Sequence, residues 1–185
     1  MASTVAYPWW ETTADDSLEQ GDFLRDFEVA VPRRSTDGLE GTIEVEIQTF
    51  DLIVMTQTCD IAQNRVRSLL LCPWWDLWQF VETSKAKGEN WGRDLREALR
   101  RGNLPGYHLL NDATQDGLVI DVGVVDFHEV YTAPTEQVRE FVNHQGPRLR
   151  LCPPYREHLA QAFARFFMRV GLPVDIPKDK LRQVP

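Results

Sequence analysis

The chain has 185 residues, 43% of them hydrophobic, and a net charge of −8. That length suits one domain, or one domain with an insertion, and no apolar run approaches the roughly 20 residues of a membrane span. Three cysteines, at positions 59, 72 and 152, are too few and too odd in number for a disulfide framework. With no basic-then-apolar leader at Met1–Trp10, they give the expectation of a cytoplasmic protein.

Residues 1–19 are polar and acidic apart from Trp9 and Trp10, and read as an arm that lays its aromatics on the body. A first strand starts at Gln20–Leu24 and a second runs over 27–32 to Pro32. Arg33 to Gly41 is a loop of turn and charged residues. Thr42–Gln48 alternates, with Ile43, Val45 and Ile47 on one side, as a half-exposed strand does. The run Leu52–Met55 is too short for a helix and reads as a buried strand. It turns abruptly polar at Thr56, Gln57, Thr58, Cys59 and Asp60. Ile61–Arg65 makes a turn, and Val66–Cys72 is a further strand that Pro73 stops. If these two strands pair as a hairpin, Cys59 and Cys72 lie more than ~20 Å apart and share no metal.

Trp74, Trp75, Leu77, Trp78, Phe80 and Val81 lie at roughly helical spacing and predict an amphipathic helix to about Lys87. Trp91–Arg101 predicts a second, with Leu95 and Leu99 at i, i+4 and Gly102 as its cap. The pair, about 74–103, reads as an insertion between strands. Leu104–Leu110 returns to extended structure. Gly117–Tyr131 reads as one strand bent at Gly123. Thr135–Asn143 is a short helix or turn, and Arg148–Pro153 a short strand. Pro154–Val170 is the clearest helix, with Leu159, Ala162, Phe163, Phe166, Phe167 and Val170 as its apolar stripe. Residues 173–185 form a basic, proline-rich tail.

Charge is unevenly spread. Residues 1–60 carry 3 basic and 13 acidic side chains, whereas 139–185 carry 9 basic and 4 acidic. The simplest consequence is attraction between the two ends across one fold. The other is a local basic face for a phosphate backbone, although overall acidity opposes broad nucleic-acid binding.

The order of elements is informative. Gly21-Asp22 leads a strand, and the strand Leu52–Asp60 ends polar. Val125-Asp126-Phe127 comes later, and a closing helix ends at Val170-Gly171-Leu172. Over about residues 20–172 this order resembles the PemK/MazF-type toxin family. The resemblance implies a small SH3-like antiparallel β-barrel with a C-terminal helix; with the inserted helical pair as an extra, the expected fold class is α+β. The family's ribonucleases carry Arg-Pro before the central strand and Pro-x-Thr after the next. Here those places read Phe50-Asp51 and Pro73-Trp74-Trp75, so that cleavage chemistry is expected to be lost or rebuilt. Gln57-Thr58-Cys59-Asp60 also resembles a stretch in a group of uncharacterised bacterial proteins.

Candidate chemistry centres on Cys59 and Asp60. A nucleophilic Cys59 needs a base, and His108 in a crossing strand is the best partner. Alternatively Cys59 is a small buried residue and Asp60 caps its turn. Gln57 and Thr58 would line a ligand site there. Asp126, in an apolar strand, needs a donor, which Arg148, Arg150 or Arg156 supplies. Arg150 and Arg156 therefore join the ligand-binding candidates. Cys59, Asp60, His108, His128, Cys152 and His158 show no metal-ligand spacing, so no metal or cofactor is expected. The leading expectation is a non-enzymatic binding or assembly module for a protein partner or a nucleic acid. The Trp-rich helical pair would meet the protein partner, and single-stranded RNA is the alternative ligand. A ribonuclease or other hydrolase using Cys59, Asp60 and His108 is the alternative.

Overall fold

The computed structural model describes residues 7–34, 43–86 and 95–168. The predicted tail and Trp91 lie outside them, as do most of the predicted loop 33–41 and the link between the inserted helices. The fold is mixed α+β, built on antiparallel sheets. Its spine is a long hairpin, β2 (Phe23–Arg34) against β3 (Ile43–Val54). The strands expected at 20–24 and 27–32 are one bent strand. Pairing slips between Leu24 and Phe27, where Asp26 takes a positive φ of 54°. The Asp26 N–H donates to Asp51 Oδ1 at 2.9 Å, which holds this bulge.

A short helix, α1 (Thr58–Ala62), links β3 to β4 (Ser68–Asp76). β4 pairs with β3 through Leu52↔Pro73, Ile53↔Cys72 and Val54↔Leu71. Pro73 therefore does not stop the strand. The Leu70 carbonyl accepts the Met55 N–H toward β3 at 2.8 Å. By alternation, Pro73 turns its missing donor to the opposite edge. On that edge β8 (Gly123–Asp126) pairs only from Trp74 onward, and β9 (Tyr131–Pro134) only up to Leu71. Pro73 faces the gap between them, so no ladder bond is lost.

Trp74 and Trp75 are consequently strand residues, not the start of a helix. Trp74 is buried edge-on to Phe23, 5.3 Å between ring centroids, and Trp75 points to the other face. Gly123 is required by this packing, because a Cβ there would stand 2.0 Å from the Trp74 indole. Helix α2 (Leu77–Ala86) begins only after Asp76, whose Oδ1 accepts the N–H groups of Trp78 at 2.8 Å and Gln79 at 3.0 Å. With α3 (Leu95–Arg100) it packs Phe80, Val81, Leu95 and Leu99 over Val124.

The predicted strand 117–131 is three: β7 (Leu118–Ile120), β8 and β9. β7 pairs with β6 (Ala113–Gln115), and β8 with β5 (Tyr107–Leu110). Then follow α4 (Thr135–Gln145), β10 (Arg148–Leu151) and α5 (Tyr155–Phe167). The N-terminal arm does pack on the body. Its β1 (Trp10–Thr13) pairs with β10, Trp10 is buried, and Trp9 stacks on Tyr155 at 3.7 Å. On α5 only Leu159 is fully buried. Ala162, Phe163 and Phe166 pack against the core, and Phe167 is exposed.

The main sheet runs β2-β3-β4-β8-β5, with β9 beside β4. Among the described residues the strands do not close into a barrel. β4 divides its far edge between two strands, and β5 ends the path without returning to β2. One core cluster, including Phe23, Ile53, Cys72, Trp74 and Leu159, fills one face. Another, including Leu24, Leu52, Val54, Leu71 and Val138, fills the opposite face.

Candidate ligand-binding cleft

Gln57, Thr58, Cys59 and Asp60 form the entry and first turn of α1. Thr58 Oγ1 accepts the Gln20 N–H at 3.1 Å, and Gln20 Nε2 donates to the Met55 carbonyl at 2.8 Å. The stretch thereby ties the arm to the β3–β4 connection. Cys59 is exposed rather than buried, and its thiol points at Gln57 Oε1, 3.7 Å away. Asp60 lies 3.8 Å from Arg65, and its carbonyl accepts the Arg65 N–H at 2.9 Å. Ile61 alone of this helix is buried.

His108 stands elsewhere. It sits on β5 opposite Val125, two strands across from β4 and level with its Trp74 end. Cys59 follows the opposite end of β3. Three strand spacings across the sheet and at least four residues along it separate the two side chains, roughly 20 Å. No Cys59–His108 pair is assembled. Burial, with His158 beside it, pushes the His108 imidazole down to about 4, so it is neutral at pH 7. His108 and His158 line a cleft of about 430 Å³ with Gln161 and Arg165.

The arginines expected to serve Asp126 are taken by other carboxylates. Arg148 and Arg150 alternate on one face of β10 and reach Asp22, whose side chain is fully buried. Arg148 Nε donates to Asp22 Oδ2 at 3.0 Å; Arg150 donates through Nε to Oδ1 and through Nη2 to Oδ2 at 3.1 Å. Glu19 bridges Arg150 and Arg156 at 3.1 and 3.0 Å. Arg148 also donates to the carbonyls of Asp15, at 2.9 Å, and of Ser17. The acidic arm and the basic C-terminal half thus meet, as the charge distribution implied, in an ion-pair network centred on the buried Asp22.

Asp126 is partnered by His128. Its Oδ1 accepts the His128 N–H at 2.9 Å and lies 2.7 Å from Nδ1. The local backbone explains why. Between the pairs Trp74↔Val125 and Leu71↔Tyr131, β4 advances three residues while the facing chain advances six. The extra residues bulge outward and carry His128 and Glu129. The His128 ring packs between Tyr107, at 4.8 Å, and Phe166, at 5.0 Å. It also lies over Gly106, where a Cβ would come within 2.0 Å of the imidazole.

Beside this bulge opens a cleft of about 300 Å³. One wall is Trp75, Phe50 and Tyr131. Phe50 stacks on Tyr131 at 5.0 Å and meets Trp75 at right angles at 6.1 Å. Phe80 and Tyr107, 5.0 Å apart, form the other wall. Asp126 and Glu129 supply carboxylates, while Gln48, Thr83 and Ser84 supply neutral polar groups. The Tyr131 hydroxyl donates to Glu129 Oε2 at 3.1 Å. Burial, then the charge of Glu129, pushes this phenol up to about 12. Burial and the charge of Asp126 likewise push the Cys72 thiol up to about 12. The Tyr131 shift marks a partly buried, electronegative site; Cys72 lies in the core on the other face of the sheet.

Of the sequence candidates, only Asp126 lies in this cleft. Trp75 does too, but from a strand rather than the predicted helical interface. Trp78 is exposed on α2. Phe50, Tyr107, Glu129 and Tyr131 were not singled out. The available signal was an unusual density of aromatic and acidic residues where Val125-Asp126-Phe127 leaves the strand. Among the described residues no group of three or more His, Cys, Asp or Glu side chains is placed to hold a metal. No helix among them is long and apolar enough to cross a membrane. No protein-family model, curated protein or solved structure matches the chain.

Proposed function

We propose that this chain is a non-enzymatic binding module that takes a cationic group of its partner in the cleft between Trp75 and Tyr107. The supporting observation is the lining itself: five aromatic rings and two carboxylates, with no Lys or Arg among the described lining residues. Aromatic faces and carboxylates attract cations and repel phosphates. The cleft is also at the small end of ligand-site volumes, suited to one side chain or a small molecule rather than a nucleotide chain. This favours a protein partner or small organic cation over single-stranded RNA. The separation of Cys59 from His108, and the absent arginine and threonine, likewise favour binding over RNA cleavage. The element order resembling PemK/MazF-type proteins belongs to this reading as a proposed SH3-like ancestry of the open sheet. The three free cysteines fit a reducing compartment, and we place the protein in the cytoplasm.

The test is a binding comparison. Purified protein is titrated with a single-stranded RNA pool, and separately with small cationic, neutral and anionic amines and acids. The reading predicts intact RNA, no RNA complex, and preference for cations that disappears in Trp75→Leu. RNA cleavage lost in Cys59→Ala, or preference for anions, overturns it.

A further inference from the structure

Resting on that reading, we propose that the cleft selects alkylated ammonium groups, of the kind carried by a trimethylated lysine side chain or a free choline-like molecule, over unalkylated amines. The Phe50 and Trp75 rings stand at 90° with centroids 6.1 Å apart, which makes an aromatic corner. Tyr131 stacks on Phe50 at an interplanar angle of 27° and joins the same cluster. Phe80 and Tyr107 make a second edge-on pair, with an interplanar angle of 67°. A rounded cation entering this cleft meets ring faces on two sides. Ring quadrupoles attract it without offering the strong acceptors that a primary ammonium must regain when it leaves water.

The carboxylates fit the same chemistry. Tyr131 donates its hydroxyl to Glu129, which fixes that carboxylate at the rim. Asp126 Oδ1 is held by the backbone and ring nitrogens of His128. Both acids therefore act as a fixed negative field around the ring cluster. Methylation spreads the charge of an ammonium over methyl groups and removes N–H donors. It lowers the desolvation cost while keeping the attraction to rings and carboxylates. A volume of about 300 Å³ admits such a headgroup and a short stem.

The experiment is calorimetric titration of the full-length chain with choline and with 3,3-dimethylbutan-1-ol, its uncharged isostere. n-Butylamine and methylguanidine are run beside them. The expected result is choline binding at least about tenfold tighter than the isostere, within what cation–π contact provides in a desolvated site. Choline should also exceed n-butylamine and methylguanidine. Glu129→Gln, on the exposed rim, should weaken choline about fivefold with an unchanged melting temperature, since it removes one fixed charge. Cys59→Ala should leave binding unchanged. n-Butylamine or methylguanidine binding tighter than choline overturns selectivity for alkylation but leaves the cation-binding reading standing. Choline and its isostere binding equally, or neither binding, overturns both. A trimethyllysine peptide compared with its unmethylated form separates the two sources. If the peptide exceeds free choline the group comes from a protein, and if it does not the ligand is a small molecule.

Discussion

Removing the charge of Asp22 while keeping its shape, by Asp22→Asn, tests the network that joins the two ends of the chain. Asp22 Oδ2 accepts N–H groups from Arg148 at 3.0 Å, Arg150 at 3.1 Å and the Glu19 backbone at 3.1 Å. In asparagine one of the two oxygens becomes an NH2 donor facing other donors. The Arg148 side chain is 0% exposed and that of Arg150 5%, so neither charge can turn to water. Among the described carboxylates Arg150 retains Glu19 and Asp15, at 3.1 and 3.7 Å, whereas Arg148 retains only Asp15, at 3.6 Å, beside the Asp15 and Ser17 carbonyls. Breaking a buried pair by removing one partner costs about 3–5 kcal/mol. The retained partners put this case near 3 kcal/mol. With a urea m-value of about 2 kcal/mol/M, the midpoint should fall by roughly 1.5 M. Urea unfolding followed by tryptophan fluorescence reads this out. A second measurement controls for general disruption. Adding Arg148→Met to Asp22→Asn should cost less than the sum of the two single changes, because the orphaned charge goes with it. A loss under about 1 kcal/mol, or strict additivity, would refute the view that these charges are buried and mutually dependent.

Three further outcomes follow from other residues. His108 titrates near 4 in the fold and at the ordinary value of 6.5 when unfolded, so only the unfolded chain gains a proton between these values. Stability should therefore fall as pH drops from about 6.5 to 4, by at most roughly 3 kcal/mol. Urea midpoints of wild type and His108→Leu should converge in their pH dependence over that window if the assignment fails, and diverge if it holds. Gly123→Ala places a Cβ 2.0 Å from the Trp74 indole and should cost about 1–3 kcal/mol, seen as a lowered melting temperature with altered near-ultraviolet dichroism. Cys59 is exposed while Cys72 and Cys152 are buried. A thiol reagent should label one cysteine rapidly in the native protein and the others only in denaturant; fast labelling in Cys59→Ala would contradict that burial.

Local pattern carried much of the architecture. The apolar run at Leu52–Met55, the alternation before it and the apolar stripe after Pro154 all announced elements found near those positions. Trp74 and Trp75 misled because apolar residues at 74, 75, 77, 78, 80 and 81 fit a strand followed by a helix as well as one helix. Asp76, a good N-cap placed between them, was the deciding signal. The excess of acid at one end and base at the other foretold their attraction. It did not identify Asp22 as the acceptor, because pairing depends on where β10 lies beside the arm. The cleft was the least visible feature. Phe50, Trp75, Tyr107 and Tyr131 are distant in sequence and meet only because β3, β4, β5 and β9 share one sheet. The bulge that presents Glu129 arises from a mismatch of six residues against three, which only the register reveals.

The proposed ligand site is the aromatic, acidic cleft rather than the Gln57–Asp60 turn. The most direct measurement is a titration of isotope-labelled protein with tetramethylammonium chloride against matched sodium chloride, following backbone and indole N–H resonances. Saturable shifts confined to Phe50, Trp75, Tyr107, Glu129 and Tyr131 and their neighbours are expected, with Gln57–Asp60 unmoved. Shifts centred on Gln57–Asp60 or on His108 and His158, or no saturable shift at all, would contradict this assignment.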